Sequence, residues 1–292
     1  MGSFFDYFLG GIANGAVIAL MALALVLVWR STRVVNFAQV GQAMFTSFIA
    51  LTAVNITGSW LFGLIVGIIA GGILGFIVHV LVMRPVRRAD ASGAIIATFG
   101  VLIALQSLAA MIWTAEPRAY PTPIEYVGLT IFGRVVPLTG YDVFVFIVMI
   151  VLVLILTILL TRTKLGLSMR ASAFNPEVAR LSGVRVSRML AIGWIIAGMV
   201  GAVAGVLIAP ISSLSPNTFD IFLVFAFTAA VIGGLDSLVG AVAFGIGTGL
   251  ILSLVTGYSD ASNAPIVALV LLALNLWFKP DGAFSHHKAR SV

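Results

Sequence analysis

Residues 7–29, YFLGGIANGAVIALMALALVLVW, form an uncharged apolar run that stops one position before Arg30. A helix of that length measures roughly 35 Å, more than the roughly 30 Å hydrocarbon core of a bilayer. The run predicts a transmembrane helix. The same reading carried outward predicts eight more, at 37–57, 61–83, 93–114, 142–161, 189–209, 219–235, 240–257 and 264–278. The segments 219–235 and 264–278 are short, so each is read as a full span, a tilted one or a half-span. The expected fold class is an all-α, polytopic membrane bundle of about eight or nine helices, forming one membrane domain over residues 1–292.

Composition agrees with this reading. The chain is 61% hydrophobic and 9% charged, whereas soluble domains carry about 25% charged residues. The absence of Cys excludes disulfides and thiolate metal sites. The opening residues MGSFFDYFLG lack the positive region of a cleavable signal peptide. With the N-terminus outside, 14 of the 16 basic residues fall on inside segments. These are Arg30 and Arg33; Arg84, Arg87 and Arg88; Arg162, Lys164, Arg170, Arg180, Arg185 and Arg188; and Lys279, Lys288 and Arg290. Arg118 and Arg134 alone fall outside. By the positive-inside rule the N-terminus is external and the C-terminus cytoplasmic. The net charge of +6 thus records topology and implies no nucleic-acid partner.

Two extramembrane segments stand out. Residues 162–188, RTKLGLSMRASAFNPEVARLSGVRVSR, are basic and water-adapted. Asn175 suits a helix N-cap, Pro176 the first helical position and Glu177 the positive end of the helix dipole. Arg180 falls in the last turn, and Gly183 can take the left-handed conformation that ends a helix. Phe174, Val178 and Leu181 are spaced to share one face, so the helix either docks in a partner's groove or rests on lipid headgroups. Residues 115–141 lie outside: Pro117, Pro121 and Pro123 stiffen the first half, and 126–136 reads as a strand pair turning near Gly133. This loop is either a platform for a partner protein or a cap over helix ends.

No Asp, Glu, Lys or Arg lies near the middle of a predicted span, which weighs against proton coupling. His79, five residues before Arg84, is expected to snorkel to the interface. Small residues recur every fourth position at Gly63, Gly67, Gly71 and Gly75, at Gly193, Ala197, Gly201 and Gly205, and at Ala241, Gly245, Gly249 and Ser253. Such faces let helix backbones approach closely in lipid. Asn36, Gln39, Gln42 and Thr46 form a polar stripe; Asn14, Thr98 and Gln106 lie in other spans. These groups either hydrogen-bond between helices or line a polar route suited to neutral or zwitterionic solutes. No nucleophile–base arrangement, metal-ligand spacing or G-x-x-x-x-G-K-[ST] loop occurs, so no catalytic or metal residue is expected. If transport is active, its energy comes from another chain.

Five segments carry a family resemblance: GIANGAVIALMALALVLVWRSTRVVNFAQ (11–39, with Asn36, Phe37 and Ala38), IIATFGVLIALQ (95–106), GLSMRASAFNPEVARLSGV (166–184), GGLDSLVGAV (233–242) and KPDGAF (279–284). In this order they resemble the permease subunits of branched-chain amino acid ABC importers, specifically the shorter permease of the usual pair. Arg170, Ala171, Pro176, Glu177, Ala179 and Gly183 match that family's cytoplasmic coupling loop. The resemblance implies a prokaryotic plasma-membrane subunit with a second homologous permease, two ATPase subunits that bind ATP and Mg, and an external solute-binding protein. It makes Phe174, Asn175, Pro176, Glu177, Val178, Ala179, Arg180, Leu181 and Gly183 the expected ATPase-docking residues. Glu116, Arg118, Glu125 and Arg134 become the external docking candidates, and Asn14, Asn36, Gln39, Gln42, Thr46, Thr98 and Gln106 the translocation path. One departure is Gln42, which occupies a position where the family usually shows an acid. The family also includes importers of urea and short amides, so the solute stays open between these and amino acids. Two rivals predict different behaviour: a stand-alone carrier or channel, and a membrane assembly subunit that transports nothing.

Overall fold

The computed structural model describes residues 4–86, 91–124, 127–131 and 134–284. Its helices are α1 (Phe4–Thr32), α2 (Gln39–Thr57), α3 (Trp60–Val78), the single turn α4 (Arg84–Val86), α5 (Ala91–Trp113), α6 (Gly140–Arg162), α7 (Lys164–Phe174), α8 (Pro176–Leu181), α9 (Val186–Ser212), α10 (Asp220–Gly233), α11 (Leu238–Tyr258) and α12 (Ala264–Phe278). A π-helical turn, His79–Met83, joins α3 to α4, and a 3-10 turn, Ala261–Asn263, leads into α12.

Among the described residues eight helical segments are long and apolar enough to cross a membrane, and their limits follow the apolar runs to within a few residues. The ninth, α10, has only 14 residues, about 21 Å of helix, and does not reach across a bilayer core alone. The predicted strand pair is present as β1 (Gly128–Ile131) and β2 (Arg134–Thr139), antiparallel with Ile131 opposite Arg134. Its expected turn residue Gly133 lies outside the described residues. Thr139 then caps α6: its hydroxyl accepts from the Asp142 N–H, and the Asp142 carboxylate accepts from the Thr139 N–H.

The bundle is built around α1, in which every residue from 15 to 28 is buried. α1 packs chiefly on α11 and α9, and α3 lies along α9. The predicted small-residue faces of α3 and α11 make these contacts. The α9 side facing α3 is instead Gly198, off the predicted α9 face, whose Gly193 meets Ser31 of α1 and whose Gly201 and Gly205 meet Gln39 and Ser47 of α2. A Cβ on Gly249 would fall 2.3 Å from Gly15 Cα, and one on Gly198 would fall 2.1 Å from the Gly71 carbonyl oxygen. Gly67 is less demanding, since its Cβ position meets Ala50 at 3.1 Å.

His79 departs from expectation. It is buried, with its ring 6.2 Å from that of Trp194, and does not snorkel. The cause is the close contact one turn earlier: a Cβ on Gly75 would sit 2.3 Å from the Trp194 carbonyl oxygen. The residue four positions on is therefore carried under the indole.

Loops that the topology assigns to one end do meet. Arg33, before α2, pairs with Asp236, between α10 and α11, at 2.5 Å. Ala283 N–H donates to Ile232 O, binding the tail to the same end. At the other end Arg118 and Leu214 exchange backbone hydrogen bonds of 2.9 and 2.8 Å. Arg87, Arg88, Lys288 and Arg290 lie outside the described residues.

Candidate functional site

The arginine-rich end carries the segment around α8. Thr163 caps α7 by accepting from the Gly166 N–H. At Asn175 the backbone becomes extended (φ −145°, ψ 99°), which closes α7 and opens α8. Asn175 Oδ1 accepts from the N–H groups of Glu177 and Val178, both at 3.1 Å. Pro176 occupies the first turn, where its missing N–H leaves nothing unpaired. Arg180 lies in the last turn, and Gly183 follows at φ +82° with open space around it. Val184 N–H reaches back to Ala179 O at 2.9 Å, folding the chain under α8 and into α9.

Phe174 and Leu181 are 90% and 89% exposed, and Val178 is 55% exposed. All three point away from the bundle, but not as one helical face. The break at Asn175 puts Phe174 on α7 and the other two on α8, so the i, i+4, i+7 relation does not hold across it. Ala179 also departs from the docking set as an outward contact. It is 3% exposed and packs with Val186 and Leu190, fixing α8 to the start of α9. Beside Phe174, a cavity of about 500 Å³ is lined by Arg30, Arg33, Arg170 and Asp236.

The polar stripe on α2 divides into two kinds of residue. Asn36 Nδ2 donates to Gln39 Oε1, and Gln39 Nε2 donates to the Ala197 carbonyl of α9, each at 3.0 Å. Gly201 makes room for that amide: a Cβ there would lie 2.2 Å from Gln39 Nε2. Asn36 and Gln39 are therefore spent as an interhelical tie. Thr46 and Thr98 back-bond to their own helices, Thr46 to Gln42 O and Ala43 O, Thr98 to Ile95 O. Gln42 differs: it is 1% exposed, and neither its amide nitrogen nor its oxygen has a hydrogen-bond partner among the described residues. An unpartnered buried amide costs about 1–3 kcal/mol. Gln42→Met is accordingly expected to raise the thermal midpoint of the detergent-solubilised protein, whereas Gln39→Met, which leaves the buried Asn36 amide without its acceptor and cuts the tie to α9, is expected to lower it. Thermal denaturation of the two variants side by side checks the opposite signs.

Asn14 is exposed on α1, at a cavity of about 250 Å³ bordered by Ile211, Phe222 and Ser253. Gln106 Nε2 on α5 donates to Asp220 Oδ1 at 2.7 Å, next to a cavity of about 300 Å³. At that end Glu116 is exposed. The Arg118 guanidinium donates to Trp113 O and closes the end of α5, where Thr114 turns left-handed (φ +71°). Its head group is thus engaged within the chain. Glu125 lies outside the described residues, and Arg134 is placed by its backbone in β2.

Two features went unpredicted. Asp220 meets Gln106 across 114 positions of sequence. Phe37 stacks on Phe99 of α5 at 4.6 Å and lies 5.6 Å from Phe227 of α10, so the start of α2 is wedged between two other helices. Only the aromatic type of each residue was visible in the sequence; the meeting was not.

The comparisons with known proteins converge. The chain is 30% identical over 284 residues to a probable branched-chain amino acid transport permease protein LivH of Methanocaldococcus jannaschii, covering 94% of this chain and 90% of that protein. It is 29% identical to the high-affinity branched-chain amino acid transport system permease protein LivH of Salmonella typhimurium, with 99% of both covered. By structure it resembles PsaBC from Streptococcus pneumoniae (TM-score 0.52, 14% identity, 95% and 93% covered) and an inward-facing putative metal-chelate type ABC transporter (TM-score 0.52, 16% identity, 94% and 88% covered). At those identities the likeness concerns the fold. The family model for the permease component of branched-chain amino acid transport systems matches residues 7–276. That match begins inside α1 and ends inside α12, taking in all the membrane-length helices, and by it the chain belongs to this permease family.

Proposed function

We propose that this chain forms half of the translocation pathway of an ATP-driven importer for branched-chain or related small amino acids. A second homologous permease supplies the other half, two ATPase subunits bind ATP and Mg, and an external binding protein delivers the solute. The arginine-rich end is cytoplasmic and the hairpin end external, following the positive-inside rule. One observation carries the reading: within the family fold, α7 ends on Phe174 and the capped helix α8 on Leu181, both almost fully exposed at the arginine-rich end. Large apolar side chains held in water by a rigid cap are suited to a partner's groove. ATP-driven closure of the ATPases would move α8, and Ala179 would pass that motion to α9. Near the centre of the pathway Gln42 would offer its free amide to the passing solute, so Gln42→Met is expected to slow uptake as it stabilises the fold.

The test is purification of the tagged chain in mild detergent, identification of what accompanies it, and leucine uptake after reconstitution with the binding protein. Recovery of a second permease and ATPases with ATP-dependent leucine uptake supports the proposal. Recovery of the chain alone with ATP-independent flux would make it a free-standing carrier. Uptake of urea or a short amide in place of leucine would change the solute and leave the machinery.

A further inference from the structure

The cavity beside Gln106 has two unlike walls. Ile103 and Pro216 are apolar; Gln106, Ser107 and Asn217 carry donors and acceptors. Its volume, about 300 Å³, lies at the lower end of small-molecule sites. One hydrogen bond behind Gln106 stands the Asp220 carboxylate. Among the described residues no basic side chain pairs with Asp220, and the Arg33–Asp236 ion pair stands at the opposite end. The walls are held in place: Arg118 and Leu214 join the segment after α5 to the turn before α10, and the Ser215 and Thr218 hydroxyls bond to each other within that turn.

A lone carboxylate at the rim of a largely apolar bundle attracts cations and rejects anions. Gln106 now satisfies one of its oxygens with a neutral amide, a weaker donor than an ammonium group. A solute ammonium that displaces this amide gains a charge-assisted bond, and the freed amide and the Asn217 side chain remain to bond the solute's polar end. An aliphatic side chain of the solute would find Ile103 and Pro216.

We propose that this cavity, with Asp220 behind Gln106, is a receiving site for the ammonium group of a small amino acid at the external end of the pathway. The inference rests on the importer reading for its direction and deepens it by naming the recognised group.

The chain has no Cys, so Ser107→Cys places a single thiol on this subunit in the cavity. The assembled complex carrying it is treated with cationic aminoethyl methanethiosulfonate or anionic sulfonatoethyl methanethiosulfonate, and labelling of this subunit is followed after gel separation. The cationic reagent is expected to react about tenfold faster relative to a free-thiol control, within the range of charge focusing in clefts. Leucine is expected to slow labelling, and isocaproate, which lacks the ammonium, is not. Adding Asp220→Asn should abolish both the charge preference and the protection, and Asp220→Glu should restore them. Equal protection by leucine and isocaproate, or protection that survives Asp220→Asn, would overturn the site. If the unmodified complex takes up no leucine while another amino acid protects the thiol through Asp220, the branched-chain reading fails and the ammonium site stands.

Discussion

Leu181→Asp is expected to reduce solute uptake to background while the chain remains folded and inserted. The side chain is 89% exposed, so its loss removes almost no packing within this subunit, and Asp is acceptable on the surface of a short helix. In the assembled importer the same position would press into an apolar groove, where a charge is desolvated without a partner. A hot-spot contact costs about 2 kcal/mol or more on truncation, and burying an unpaired charge costs further, about 3–5 kcal/mol; each 1.4 kcal/mol is about tenfold in association. The expected observation is a normal amount of chain in the membrane fraction, with ATPase co-purification lost. Ala179→Asp provides the contrast. Ala179 anchors α8 on Val186 and Leu190, so a carboxylate there should detach the whole helix and also lower thermal stability. Normal uptake by Leu181→Asp would mean that α8 is a surface feature and that coupling, if present, runs elsewhere.

Gly198→Leu should fail earlier, at folding. Gly198 and Gly71 face each other so closely that a Cβ on either lands within 2.4 Å of the other's carbonyl oxygen. The obstruction is backbone on both sides, so no rotamer change relieves it. Gly198→Ala is expected to cost about 1–3 kcal/mol, the usual range for overpacking. Leu in the same place should separate α3 from α9 and leave no monodisperse species on size-exclusion chromatography in mild detergent. Gly100→Ala is the control: nothing lies within 4 Å of its Cβ position, and Ala is favoured over Gly in a helix by up to about 1 kcal/mol. If Gly198→Leu eluted as a normal, monodisperse species, the α3–α9 contact would not be what holds these helices.

What the sequence made legible depended on whether a signal was local. The spans were readable because lipid imposes a length and excludes charge, so Arg30, Arg84 and Arg162 mark helix ends without knowledge of any neighbour. The caps of α8 were readable because Asn175 bonds residues two and three positions away. The small-residue faces of α3 and α11 were readable as faces, but their pairing was not; Gly198, which meets Gly71, lies off the four-residue repeat read on α9, and nothing in Gly71 names it. The same limit hid Asp220–Gln106 and the Phe37 wedge, which exist only after distant helices meet. It also misplaced His79, whose distance from Arg84 suggested the interface while the closeness of Gly75 to Trp194 drew it inward. Gln39 and Gln42 looked alike as members of one stripe. The positions of Asn36 and Ala197 O separate them, giving one its partners and leaving the other without.

The burial of α1 has a consequence for biogenesis. It is synthesised before its principal neighbours, α9 and α11, which begin about 180 and 230 residues later. Until they are made, α1 must wait in lipid with Gly11 and Gly15 facing acyl chains instead of α11. The orientation of α1 is therefore set before its packing partners exist, whereas the tertiary fold around it closes only after α11 is made. A truncation before α11 should leave a chain that is threaded correctly but open along its central helix, exposed to the quality-control proteases of its membrane.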